Sequence, residues 1–180
     1  MQQTTGPITI NHVYHGGFTQ MNKKVYLLLL SSLCFCKGLY ADSITTEVYS
    51  SENKPVGNIE FKDSQYGLLI TPHLKELPQG MHGFHIHEHA DCGDHAMKAG
   101  GHLDPKQAEK HLGPYSEGHL GDLPALTVNE QGEANTTVLA PRLKVSDIKN
   151  HAIMIHAGGD NYSDTPALGG GGARLACGKI

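Results

Sequence analysis

One stretch, Gly83-Phe84-His85-Ile86-His87-Glu88, constrains the fold more than any other. Side chains alternate faces along a strand, so His85 and His87 point one way while Phe84 and Ile86 point the other. The apolar pair belongs in a core. The two imidazoles then lie side by side on the opposite face, which is half of a metal site. The chain holds 13 histidines in 180 residues, more than packing needs. The other half of the site is sought in His102, His111, His119, Asp122 and His156, and the remainder of the chain becomes the scaffold that gathers them.

Glycine is abundant, with 22 residues, tryptophan is absent, and the apolar runs are short. Such a pattern suits an all-β domain rich in turns. Ile44–Ser50, Val56–Lys62 and Tyr66–Pro72 read as strands, the last two joined by a turn at Lys62–Gln65. Gly80–Glu88 reads as the histidine-bearing strand. Ala125–Asn129 and Ala134–Leu139 read as a hairpin around Glu130-Gln131-Gly132, Lys144–Asn150 as a turn of helix, Ala152–His156 as a strand, and Leu175–Ile180 as the closing strand. Two long segments lack periodicity, Ala90–Leu123 and Ala157–Ala173. The first carries four spaced metal-type residues, and long structureless loops in a compact domain are usually functional. About eight strands with two long loops indicate a Greek-key barrel or sandwich with its function in the loops.

The start of the chain reads as separate from this domain. Met21-Asn22-Lys23-Lys24 is a basic opening, Val25–Phe35 is an uncharged apolar run, and Leu39-Tyr40-Ala41 offers a small residue before Asp42. This is the pattern of a secretory signal peptide, and the run is short for a membrane span. Residues 1–20 precede an ordinary-looking start at Met21 and read as an upstream extension. Removing 1–41 takes away Lys23, Lys24 and Lys37 and no acid, leaving 139 residues with 11 basic and 18 acidic side chains, or −7. Nothing in that balance suggests nucleic acid or an anionic membrane surface. Cys34 and Cys36 leave with the signal, so Cys92 and Cys177 form the expected disulfide of an exported protein.

His-x-His on a strand is a moderate signal alone, and His73, His82, His89, His95 and His151 read as surface or structural histidines. The constellation His85, His87, His102, His111, His119, Asp122 and His156 exceeds what one four-coordinate ion can use. Three imidazoles with a carboxylate suit zinc, and imidazoles alone suit copper(II). Seven ligands for two four-coordinate ions require one shared residue, and an imidazole can bind through both ring nitrogens.

Gly83–Glu88, Gly100-Gly101-His102, Gly118-His119-Leu120-Gly121-Asp122-Leu123, Met154-Ile155-His156 and Gly171–Gly178 together resemble copper/zinc superoxide dismutase. Gly158-Gly159-Asp160-Asn161 and Ala140-Pro141-Arg142-Leu143 look like its bacterial periplasmic branch. The resemblance covers essentially all of 44–180 and implies an eight-stranded Greek-key β-barrel of immunoglobulin-like sandwich type. It implies one copper on His85, His87, His102 and His156, and one zinc on His102, His111, His119 and Asp122, with His102 shared. It further implies that Arg174 guides the anion, that Asp160 orients His85 and His111, and that Cys92 pairs with Cys177. The implied activity converts superoxide to oxygen and hydrogen peroxide while copper cycles between its two oxidation states. The implied location is the periplasm, and the resemblance leaves both homodimer and monomer open. A carrier of copper or zinc without catalysis is the competing reading. It would need the ligands but not Arg174.

Overall fold

The computed structural model describes residues 41–180, so the expected signal peptide and the 1–20 extension lie, but for Ala41, outside the described residues. Among the described residues there are nine strand segments: β1 Ser43–Ser50, β2 Pro55–Ser64, β3 Gly67–Leu74, β4 Gly80–His82, β5 Phe84–His87, β6 Leu126–Val128, β7 Val138–Ala140, β8 Ala152–His156 and β9 Arg174–Lys179. Seven form one antiparallel sheet in the order β5-β8-β9-β1-β2-β3-β7, and β4 pairs with β6 in a second. The curled sheet with its non-consecutive neighbours is the expected Greek-key β-barrel. A four-residue helix, α1, spans Val145–Ile148, and its first amide donates to Asp63 Oδ1 on β2 at 2.8 Å.

Three local readings change. The stretch expected as one strand over Gly80–Glu88 is divided at Gly83, so that β4 joins the small sheet and β5 the large one. Counting β4 and β5 as one interrupted strand restores the expected eight. The β2–β3 turn falls at Gln65-Tyr66, three residues past the expected start at Lys62, because Ser64 pairs with Gly67. The Ser64 hydroxyl accepts from the Tyr66 amide at 3.1 Å and donates to the Gly67 carbonyl at 2.7 Å, closing that turn. The hairpin expected from 125–129 and 134–139 does not pair with itself. A turn does form, with Asn129 N–H donating to Glu133 O at 2.9 Å, but β6 pairs with β4 and β7 with β3. β7 thereby joins the longer strand β3, while β6 joins β4, a segment of its own length.

The core follows the alternation. Phe84 and Ile86 are fully buried in one apolar cluster with Ile59, Phe61, Leu68, Ile70, Ile153 and Ile155. Burying a side chain of that size stabilises by about 1.5–3 kcal/mol, so β5 is anchored through the face opposite its histidines. Ala152 and Met154 point away from that cluster and pack with Ala96, Ala99 and Cys177. Cys92 and Cys177 form the expected disulfide, closing a separation of 85 residues. A loop of that length is worth about 4.5 kcal/mol in the chain-entropy picture, comparable to two buried aliphatic side chains. It ties the 92–100 loop to β9.

The free edge of β5 matters most for the site. Among the described residues no regular strand covers it. Instead the 90–123 loop does, through isolated antiparallel bridges that set His102 opposite His87 and Asp122 opposite His85. Leu103 N–H donates to Ile86 O at 2.8 Å and Ile86 N–H to Gly121 O at 2.9 Å. The loop is thereby bonded to the strand as tightly as a strand would be.

Candidate metal centre

Every residue of the expected constellation is buried: His85 0%, His87 1%, His102 4%, His111 0%, His119 8%, Asp122 1% and His156 5% exposed. Buried polar groups require partners, and the partners found here assign a direction to each ring. A carbonyl or carboxylate oxygen only accepts, so the nitrogen facing it carries the proton and the opposite nitrogen keeps its lone pair. His87 Nδ1–H donates to Gly100 O at 3.0 Å. His156 Nδ1–H donates to Gly172 O at 3.2 Å. His85 Nε2–H donates to Asp160 Oδ2 at 2.7 Å. The lone pairs that remain are His87 Nε2 and His156 Nε2, only 3.4 Å apart, and His85 Nδ1, which has no hydrogen-bond partner. His102 Nε2 is likewise buried and unpartnered. The donor atoms of His85, His87, His102 and His156 all lie within 4.8 Å of one another.

A second convergence centres on one oxygen. Asp122 Oδ1 stands 3.0 Å from His102 Nδ1, 3.0 Å from His111 Nδ1 and 3.5 Å from His119 Nδ1. His111 Nε2–H donates to Asp160 Oδ1 at 2.7 Å, which leaves Nδ1 to face Asp122 Oδ1. A lone pair facing a carboxylate oxygen needs a proton or a cation between them. Ligand atoms around a tetrahedral zinc with bonds of about 2.0–2.1 Å stand about 3.3 Å apart, and the observed spacings bracket that value. His119 Nδ1 is buried with no hydrogen-bond partner. The four residues whose donor atoms all lie within 4.8 Å of one another here are nevertheless His85, His102, His111 and Asp122, without His119. His102 belongs to both convergences, with Nε2 in one and Nδ1 in the other.

Burial sets the protonation of the first group. It lowers the pKa of His85 to about 3, of His87 to about 2 and of His156 to about 4, with the neighbouring His102 adding to the effect on each. His102 is lowered by burial as well. These imidazoles are therefore neutral near pH 7 and present lone pairs. At His111 burial also works against the charge, but the hydrogen bonds to Asp122 and Asp160 outweigh it and raise the pKa to about 9. Burial alone would raise Asp122 and Asp160. Their bonds to His102, His111 and His85 instead hold both carboxyls well below the usual range. The first group thus favours a cation held by neutral nitrogens, and the second a cation matched to a fixed carboxylate.

Asp160 joins the two groups, one oxygen to His85 and the other to His111, and the Tyr162 amide donates to Oδ1 at 2.8 Å. The glycine run 169–172 explains how the loop fits over this pair. A Cβ on Gly169 would sit 2.0 Å from Asp160 Oδ1, and its backbone holds φ +70°, a conformation glycine adopts at little cost.

Arg174 stands opposite His156 in the β8–β9 register. Its guanidinium is half-buried and donates to the carbonyls of Ala96 and Gly100. Gly100 O therefore receives both Arg174 and His87. Carbonyls of this kind leave no sequence signal, and neither does Tyr162, whose hydroxyl accepts from Ala125 N–H at 2.9 Å. His82, read as structural, is buried between two carbonyls, His156 O at 2.7 Å and Pro78 O at 2.8 Å. His89 and His95 remain at the surface, as expected.

The family model for copper/zinc superoxide dismutase matches residues 56–180. The chain is 52% identical over 162 residues to the Cu-Zn superoxide dismutase of Legionella pneumophila, covering 89% of this chain and 99% of that protein. It superposes on the Cu/Zn superoxide dismutase of Brucella abortus with a TM-score of 0.73 at 44% identity, covering 77% of this chain and 99% of that one. The copper, zinc enzyme of Salmonella enterica, described as monomeric, matches with a TM-score of 0.68 at 47% identity, over 77% and 99% of the two chains. With two buried donor groups meeting at His102 on a Greek-key barrel, and with matches of this extent, the chain belongs to the copper/zinc superoxide dismutase family.

Proposed function

We propose that the protein is a superoxide dismutase that holds one copper through His85, His87, His102 and His156 and one zinc through His102, His111, His119 and Asp122. The observation that carries this reading is the set of inward lone pairs, each fixed by a partner on the far side of its ring or left buried without one. His119 rather than His85 completes the zinc set, because the His85 Nε2–H is held by Asp160 and its one remaining lone pair, on Nδ1, is needed among the imidazoles. The donor types agree: nitrogens alone suit copper, and a carboxylate with three imidazoles suits zinc.

When bound, copper supplies one-electron chemistry, and zinc supplies fixed positive charge without redox change. Two superoxide anions and two protons become one dioxygen and one hydrogen peroxide. This chain's residues bind, orient and move protons around that exchange. Arg174 draws the anion toward His156 and His87 and holds it through fixed guanidinium donors. His102 Nε2, buried and unpartnered, takes a proton and returns it to the departing peroxide. Asp160 keeps the protons of His85 and His111 on the nitrogens away from the ions, which fixes ring direction and raises ligand basicity.

All of these residues lie on one chain, so a single copy suffices for the site. Residues 42–180 form the mature domain, and 1–41 are removed on export to the periplasm. The Cys92–Cys177 disulfide supports an oxidising compartment. A non-catalytic carrier is the weaker reading, because it needs the ligands but has no use for Arg174.

Elemental analysis after full loading tests the assignment. One copper and one zinc per chain are expected, with copper lost selectively in His87→Ala and zinc in His111→Ala. A single ion per chain, or equal loss of both metals in both variants, contradicts it.

A further inference from the structure

Arg142 has no part in the reaction described above. It lies in Ala140-Pro141-Arg142-Leu143, between β7 and α1. Its guanidinium nevertheless reaches the turn that carries two residues of the zinc set. Nη1–H donates to Gly118 O at 3.2 Å, and Nη2–H donates to His119 O. His119 O also accepts the Asp122 amide at 3.4 Å. One carbonyl oxygen thus joins Arg142 to the backbone of both His119 and Asp122.

The contact matters because His119 is the least fixed residue of its set. It is the most exposed, its Nδ1 has no hydrogen-bond partner, and it stands 3.5 Å from Asp122 Oδ1 where His102 and His111 stand at 3.0 Å. His111 has Asp160 behind it to set its ring. For His119 the ring's place is inherited from the backbone. On its inner side that backbone is bonded to the 110–112 segment: His119 N–H donates to Lys110 O at 2.9 Å, and a Cβ on Gly118 would meet the same oxygen at 2.5 Å. On the other side the carbonyls of Gly118 and His119 are held by Arg142. A guanidinium suits this task, since its planar fork offers two parallel donors at fixed spacing and never loses its charge. A lysine offers a point charge.

We infer that Arg142 is a positioning residue for zinc: it clamps the Gly118–His119 backbone and so keeps the His119 imidazole and the Asp122 carboxylate at their binding spacing. The inference rests on the zinc set assigned above. It acts from outside the donor set and touches no ligand side chain.

The test compares Arg142→Met, which keeps much of the stem, Arg142→Lys, and His119→Ala as reference. Zinc transfer to a chelator, the visible spectrum of cobalt(II) bound in place of zinc, copper content and the melting temperature of the metal-free protein are measured together. Arg142→Met is expected to weaken zinc retention about tenfold or more, in the range of other residues that orient ligands, and to shift the cobalt bands, with copper content unchanged. Arg142→Lys, able to serve one carbonyl at a time, falls between and remains informative if the methionine variant does not fold. Unchanged zinc retention and cobalt bands in the arginine variants overturn the inference. So does parallel loss of copper and zinc in step with the melting temperature, which would make Arg142 a general brace. If His119→Ala itself keeps zinc as the unmutated protein does, the assignment of His119 fails, whatever Arg142 does.

Discussion

Arg174→Ile lowers the rate of superoxide dismutation by about tenfold or more at low ionic strength, while copper and zinc content remain as in the unmutated protein. The size follows from electrostatic guidance, which raises capture rates by about 10–10³-fold where charge is focused at a site. Residues 42–180 carry 11 basic and 18 acidic side chains, a net −7 that opposes an approaching anion. The 157–173 loop contains no lysine, so a cation fixed at the mouth has to overcome the general field. Arg174 is so fixed, by the carbonyls of Ala96 and Gly100. Gly100 O also accepts from His87, so the charge and an imidazole of the copper set share one anchor. The Debye length is about 10 Å at 0.1 M salt, and the unmutated rate is expected to fall as salt is added. The variant responds less, having lost the charge that salt screens. Pulse radiolysis across an ionic-strength series makes the comparison. An unchanged rate and an unchanged salt slope in Arg174→Ile would remove Arg174 from the mechanism.

Asp160→Asn produces the second large effect, on metal retention. A carboxylate accepts on both oxygens, and Asp160 uses one for His85 and the other for His111, each at 2.7 Å. An asparagine accepts on one side and donates on the other. One of the two imidazoles must then lose its partner or turn its proton inward, onto the nitrogen a metal needs. Residues that orient ligands in this way typically contribute ten- to a hundredfold in affinity, and zinc retention should fall by about that factor. Competition with a chelator at constant pH measures the loss. Asp160→Asn with unmutated zinc affinity would show that the bridge between the two groups is incidental.

Much of this site could be read before any coordinates. The alternation of Phe84 and Ile86 against His85 and His87 survives intact, because a period of two leaves the strand only one way to bury its apolar face. The same holds for β8, where Ile153 and Ile155 enter the main core and Met154 does not. Cys92 and Cys177 pair as composition suggests. The loop geometry was not legible. His102 and Asp122 reach β5 through single bridges to its edge, and pairing of that kind imposes no periodicity. The 125–139 segment looked like a hairpin because its turn residues are right for one, yet tertiary partners claim both arms. Gly83 divides a strand that the apolar pattern runs straight through. The contributions of Gly100, Tyr162 and Arg142 pass through backbone carbonyls and amides, which every residue possesses and no motif marks.

Superoxide decay in the presence of the copper- and zinc-loaded protein tests the central claim most directly. Superoxide dismutase is a standing example of an enzyme at the diffusional ceiling of about 10⁸–10⁹ M⁻¹s⁻¹, and the loaded protein is expected to approach that range. Protein carrying zinc alone should leave the decay at its spontaneous rate. A fully loaded protein that binds both ions yet leaves superoxide decay at the spontaneous rate would contradict the account and make the chain a metal carrier.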